Sequence, residues 1–174
     1  MNIYLFKCDT DKYKWIRSET DDEILDEFQQ SRFGHGFEIS VTIQGKRQKM
    51  PDIFELDFRI PVLTNRALSE LAPISGSEIE LVTLQCETLE LTALNILNQR
   101  DCLILEESTL DVNDFGQIIT LEHGIFETEK LGDSDFFTIP NDTSVYITER
   151  LLDKIQTKKL LGLIEPHVVG CTAD

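Results

Sequence analysis

Histidine is scarce in this chain, and basic side chains are outnumbered two to one by acidic ones. Three histidines and 16 lysines and arginines stand against 32 aspartates and glutamates, a formal charge of −16 over 174 residues. So acidic a protein repels phosphate backbones, which excludes sequence-independent binding of DNA or RNA. The four cysteines, Cys8, Cys86, Cys102 and Cys171, are widely spaced and include no Cys-x-x-Cys pair. No His-Glu-x-x-His and no glycine-rich phosphate loop occurs, so no metal or cofactor is expected. No run approaches the roughly 18 apolar residues of a membrane helix. The opening MNIYLFKCDT lacks the apolar core of a secretion signal. These absences predict a cytoplasmic protein with no membrane contact and reduced thiols, Cys86 and Cys102 serving as small core side chains.

What is present suffices for a folded core. Apolar side chains make up 41% of the residues, and a chain of this length buries about 70% of its unfolded surface. A single domain over 1–174 is expected. The one internal boundary that suggests itself, near Pro61, would separate a small lobe, 1–60, from a larger one, 61–174. The acid is unevenly placed. From Ala67 to Glu149 there are 17 acidic residues and two basic ones, Arg100 and Lys130, a net charge of −15. The remainder of the chain nets −1. Such a stretch is either a solubilising surface or a face that steers a basic partner by long-range attraction.

Periodicity supplies the elements. Ile3 to Cys8 and Tyr13 to Ile16 are β-rich runs around Asp9-Thr10-Asp11, which predicts a hairpin. Ser18 to Gln30 reads as a short acidic helix with Ile24, Leu25 and Phe28 on one side. Phe37, Ile39, Val41 and Ile43 alternate as in a half-buried strand, and Phe54 to Ile60 suits another. Thr64 can cap a helix carrying Ala67, Leu68 and Leu71, which ends near Pro73. Beyond Glu78 the segments EIELVTL, ETLELTALNIL, DCLILEES and GQIITLEHGIF read as strands, with breaks at Asn98 to Asp101 and Asp111 to Gly116. Phe136 to Ile139 and Ser144 to Ile147 add short ones. A last helix follows Thr148, with Lys154, Lys158 and Lys159 toward its C-terminus, and LGLIEPHVV closes as an extended segment. Strands predominate without β-α-β alternation, so the fold class is α+β, a strand-rich mixed or antiparallel sheet with two or three helices.

Few residues announce chemistry. His35, between two glycines, could serve as a general base at a loop tip, yet a plain turn residue is the favoured reading; Glu122-His123-Gly124 ends a strand and is likewise read as structural. Asp9-Thr10-Asp11 opens like a calcium loop but lacks the central glycine and the twelfth-position acid. Asp21-Asp22-Glu23 suits an acidic first helical turn. Phe136 and Phe137 are adjacent, so in a strand they point to opposite faces, and Phe137 is a candidate interface anchor unless both faces are covered.

Taken in order, IYLFKCDTDKYKWI, VLTNRALSELAP after Asp57 and Phe58, EIELVTL, LTALNILNQRDCLILEES, FFTIP, VYITERLLDKI and KLLGLIEP span nearly the whole chain. This succession resembles the α+β immunity proteins of bacterial polymorphic-toxin systems, a family earlier filed as a domain of unknown function. The chain departs from it at Leu81-Val82-Thr83-Leu84, where a Leu-Pro-Leu turn is usual. It also lacks the tryptophan those proteins carry between the positions of Phe37 and Pro51. The resemblance implies a protein that binds and inactivates a cognate toxin and has no catalytic residues. The expected contact residues are Glu106, Glu107, Asp111, Asp114, Asp133, Asp135 and Phe137, and the expected partner is a basic protein toxin. Alternatives are a regulatory module such as a DNA mimic, or a small enzyme using His35 or His123. Sheet edges permit either a monomer or a homodimer.

Overall fold

A computed structural model describes residues 1–20, 25, 38–74, 78–97 and 99–173. Within them the strands are β1 (Asn2–Leu5), β2 (Trp15–Ser18), β3 (Val41–Gln44), β4 (Ile53–Leu56), β5 (Ile60–Thr64), β6 (Ile79–Leu84) and β7 (Leu91–Ile96). They continue with β8 (Thr109–Val112), β9 (Ile118–Glu127), β10 (Phe136–Phe137), β11 (Tyr146–Thr148) and β12 (Val168–Ala173). The helices are α1 (Asn65–Leu71), α2 (Thr128–Leu131) and α3 (Glu149–Thr157). The class is α+β and strand-rich. The helix read over Ser18 to Gln30 falls largely outside the described residues, as do His35, Asp21-Asp22-Glu23 and Phe37.

A six-stranded sheet runs β10-β11-β1-β12-β9-β8, and a four-stranded one runs β4-β5-β7-β6. The four-stranded sheet is antiparallel throughout. In the larger sheet β12 lies parallel to β9 while the other pairs are antiparallel. A two-stranded ribbon, β2-β3, completes the set. Pro61 pairs with Glu55 inside the β4-β5 hairpin.

Register explains why several strands are apolar on consecutive residues. Ile53 opposes Leu63 and Phe54 opposes Val62, so each pair faces one side of the four-stranded sheet. Ile53 and Leu63 enter a core with Phe6, Leu94, Phe136, Ile147, Leu151 and Ile155, which joins the two larger sheets with α1 and α3. Phe54 and Val62 enter a second core beneath β2 and β3, with Ile16, Leu25, Ile39 and Val41. A third core, of Ile3, Cys102, Phe126, Leu131, Phe137, Tyr146 and Val169, covers the other face of the six-stranded sheet. Away from the β8-β9 end, both faces of each large sheet are largely packed, and continuous apolar runs follow.

The helices begin where the sequence places their caps. The Thr64 hydroxyl accepts the Ala67 N–H at 3.3 Å and the Thr148 hydroxyl accepts that of Leu151 at 3.4 Å. The lysines after them do more than offset a dipole. Lys154 Nζ donates to the Leu71 carbonyl at the end of α1, and Lys158 pairs with Glu70 at 2.7 Å, so α3 is tied to α1.

Three expectations are corrected. The opening runs do not form a hairpin: β1 inserts between β11 and β12, and β2 pairs with β3. The turn itself exists, with Asp9 Oδ1 accepting the N–H groups of Asp11 and Lys12 at 3.2 and 3.0 Å, but it hands the chain to another sheet. DCLILEES is not a strand throughout. Cys102 and Ile104 bond to Glu127 and Ile125 of β9, after which Leu105–Glu107 forms a 3-10 turn. Both Phe136 and Phe137 are buried, one in each core flanking the larger sheet.

Two close approaches demand glycine. At Gly162 (φ +138°) an added Cβ would lie 2.0 Å from the Ile53 carbonyl oxygen. Gly170 sits opposite Gly124 in the parallel β12-β9 pair, and a Cβ there would meet the Gly124 oxygen at 2.2 Å and the Phe126 ring at 2.7 Å.

Candidate protein-interaction surface

Among the described residues the β8-β9 hairpin stands at a sheet edge with exposed apolar side chains. β12 pairs with β9 only over Gly124–Glu127, so residues 118–123 of β9 have β8 as their one strand partner. β8 in turn is the edge of the sheet. The stretch from Asp101 to Glu129 that contains this hairpin has eight acidic residues and no lysine or arginine.

The turn between the strands is held by one side chain. Asn113 Oδ1 accepts the N–H groups of Phe115 and Gln117, both at 2.9 Å, and Asn113 Nδ2 donates to Gln117 Oε1 at 2.8 Å. The Gly116 N–H donates to the Asn113 carbonyl at 2.9 Å, and Gly116 takes φ +77°, which L side chains adopt reluctantly. These bonds fix Phe115 at the tip, 89% exposed. Val112, Ile119 and Leu105 of the adjoining 3-10 turn are exposed too. That turn is fastened to β9 through Ser108, whose hydroxyl donates to the Ile104 carbonyl (2.7 Å) and accepts the Ile125 N–H (2.9 Å). A further bond, Ile118 N–H to the Asn141 carbonyl at 2.8 Å, ties the hairpin to the loop before β11.

Four of the anticipated acids belong to this unit. Glu106 and Glu107 lie in the 3-10 turn, Asp111 in β8 and Asp114 beside Phe115, and all four are exposed. Asp133 and Asp135 follow α2, outside this unit; Asp133 is exposed and Asp135 is not. Asp135, buried at 5% exposure, accepts Arg150 Nε at 2.9 Å, and Arg150 reaches the Asp133 carbonyl at 2.6 Å and its carboxylate at 3.7 Å. Asp135 is thus a buried ion-pair member rather than a surface acid. Phe137 is fully buried against Phe126 and Tyr146, which corrects the expectation of an exposed anchor there. Among the described residues the most exposed aromatic is Phe115, followed by Trp15; the sequence reading passed over Phe115 inside a break between strands. A large apolar residue framed by Asn113, Asp114 and Gly116, in a turn too short to bury it, was the available signal.

Beside the hairpin opens a cleft of about 420 Å³, bordered by Ile119, Leu121, Arg59, Asp142, Tyr146 and His167. Arg59, in a left-handed backbone conformation (φ 62°), donates to the Ser144 hydroxyl. The Ser144 N–H donates to Asp142 Oδ1 at 2.6 Å and the Tyr146 hydroxyl donates to Asp142 Oδ2. Burial, reinforced by the Asp142 carboxylate, pushes the Tyr146 phenol far above its ordinary range. The Ser144 hydroxyl is therefore held by the Arg59 guanidinium. His123 is exposed on β9 opposite Thr109.

Elsewhere the titratable groups serve packing. Burial raises the thiol of Cys8 well above its usual value and that of Cys102 to about 11, so both are protonated at neutral pH. The described cysteines are all free. Among the described residues no group of three or more His, Cys, Asp or Glu is placed to hold a metal ion, and no helix is long and apolar enough to cross a membrane. No protein-family model matches the chain, and no curated protein matches it in sequence.

Proposed function

We infer that this protein is an immunity protein of a polymorphic-toxin system, which neutralises a basic protein toxin by one-to-one binding in the cytoplasm. The observation that carries the reading is the cation-free stretch from Asp101 to Glu129, folded into an exposed, rigidly fastened hairpin and 3-10 turn. Toxins that cut nucleic acid need cationic clefts, and an acidic surface reaches such a cleft quickly and blocks it. The order of segments resembling immunity proteins supports the same reading.

Glu106, Glu107, Asp111 and Asp114 are the acids assigned to this contact. Asp135 is given to Arg150 and holds the chain after α2 instead, and Asp133, whose carboxylate is exposed, lies outside the hairpin unit. The test begins with capture of partners on the tagged protein at low salt, followed by release at high salt. One basic protein at equal stoichiometry is the expected catch. With that pair purified, the variant E106K/E107K/D111K/D114K should associate about tenfold or more slowly and lose most of its salt dependence. Unchanged affinity and salt dependence would falsify the acidic-surface reading. A chromosomal DNA-binding protein as the sole catch replaces toxin inhibition with DNA mimicry.

A further inference from the structure

We propose that Phe115 is the apolar anchor of a finger, the β8-β9 hairpin tip, that inserts into a recessed apolar pocket of the partner protein rimmed by lysine or arginine. The proposal rests on the inhibitor reading and adds to it the contact that holds the complex together.

Exposure and composition argue for it first. Phe115 is 89% exposed, and hiding a phenylalanine from water is strongly favourable. Such a side chain at the outermost point of a hairpin has nothing in its own fold to pack against. Interfaces draw most of their affinity from a few such residues, enclosed by a ring of polar contacts that exclude water. Asp114 adjoins Phe115 and Asp111 lies on β8, and from Asp101 to Glu129 no cation neutralises them. The matching pocket therefore carries a cationic rim.

The shape of the patch favours insertion over flat docking. Ile118 and Ile119 are adjacent in β9 and so point to opposite faces of the hairpin. Ile118, with Leu105, Leu110 and Val112, borders an apolar groove of about 280 Å³, whereas Ile119 borders the cleft that holds Tyr146. Apolar surface thus lies on both faces and at the tip. A flat partner covers one face only; a concave one covers all three. A second copy of this chain is a poor occupant, since two such hairpins would bring their uncompensated acids together.

Preorganisation completes the case. The bonds from Asn113 to Phe115 and Gln117, and the bond from Ile118 to Asn141, hold the tip in one conformation before any partner arrives. Little ordering entropy is then lost on binding.

The experiment places the photoreactive residue p-benzoylphenylalanine at Phe115, at Asp114 or at Leu81, an exposed apolar site on β6, in cells that produce the protein. The expected result is an adduct from positions 115 and 114, absent from 81, to one basic protein, with the adduct at apolar residues flanked by lysine or arginine. In the purified pair, Phe115→Ala should speed dissociation about tenfold or more and leave the association rate within about twofold, while circular dichroism shows the fold intact. Adducts at 114 without 115, or an unchanged dissociation rate for Phe115→Ala, overturn the anchor and leave the inhibitor reading standing. Adducts to a second copy of the chain, or from neither hairpin position, overturn both.

Discussion

Glu55 shows how a single side chain in this fold acts against stability at neutral pH. Its carboxylate accepts the Cys8 N–H at 2.9 Å, linking β4 to the segment after β1. Burial nevertheless outweighs that bond and the attraction of Arg59 and Lys7, and holds its pKa above the ordinary carboxylate value. The folded state therefore binds this proton more tightly than the unfolded one. The resulting stabilisation is full below the unfolded value of about 4.3 and is lost as pH rises through the higher folded value. Glu55→Gln keeps an acceptor for Cys8 and removes the buried charge. It should raise urea-unfolding stability by roughly 0.5–1 kcal/mol at pH 7 and give no gain at pH 4. The same scale separates the two aromatic candidates. Phe137 and Phe115 each lie within two residues of an aspartate in the sequence, yet one is enclosed by Phe126 and Tyr146 and the other faces solvent.

Among elements, the hairpin depends on its turn, and the turn depends on Asn113. Asn113→Ala removes the acceptor for two backbone N–H groups without touching the packed cores. Amide hydrogen exchange at Phe115 and Gln117 should speed by about tenfold or more, with global stability lowered by about 1 kcal/mol or less. Equal exchange in both proteins would mean that strand pairing alone shapes the tip. Helices α1 and α3 were legible because their signals are local: a threonine cap, then apolar residues at helical spacing. The turn over 113–116 was legible for the same reason, although Asp111 and Val112, read as part of that break, belong to β8. The pairing of the opening strands was not. A turn at Asp9 is visible in the sequence, but β1 is received by residues more than a hundred positions away, such as Ile147 and Gly170, and β2 by β3.

Over the whole molecule, charge asymmetry sets both stability and association. In the Ala67–Glu149 stretch the ion pairs formed by its two cations are Arg100 with Glu78 and Lys130 with Glu127. Most of its acids consequently repel one another across the surface, and added salt screens that repulsion. The free protein should unfold at a higher urea concentration as sodium chloride is raised, whereas its complex with a basic partner should weaken. A flat salt response of the free protein would mean that the acids are too far apart to matter. The sequence by itself determined the α+β class, the capped helices, the strands with period-two patterns and the concentration of acid in one half, because each is a property of neighbours along the chain. Tertiary structure alone decided that Asp135 and Phe137 are interior, that Arg150 claims one of the acids, and that Phe115 stands at an uncovered tip. Burial is a relation between distant segments: it required both faces of the six-stranded sheet to be covered near Phe137 and β12 to begin its pairing with β9 only at Gly124, past the β8-β9 tip.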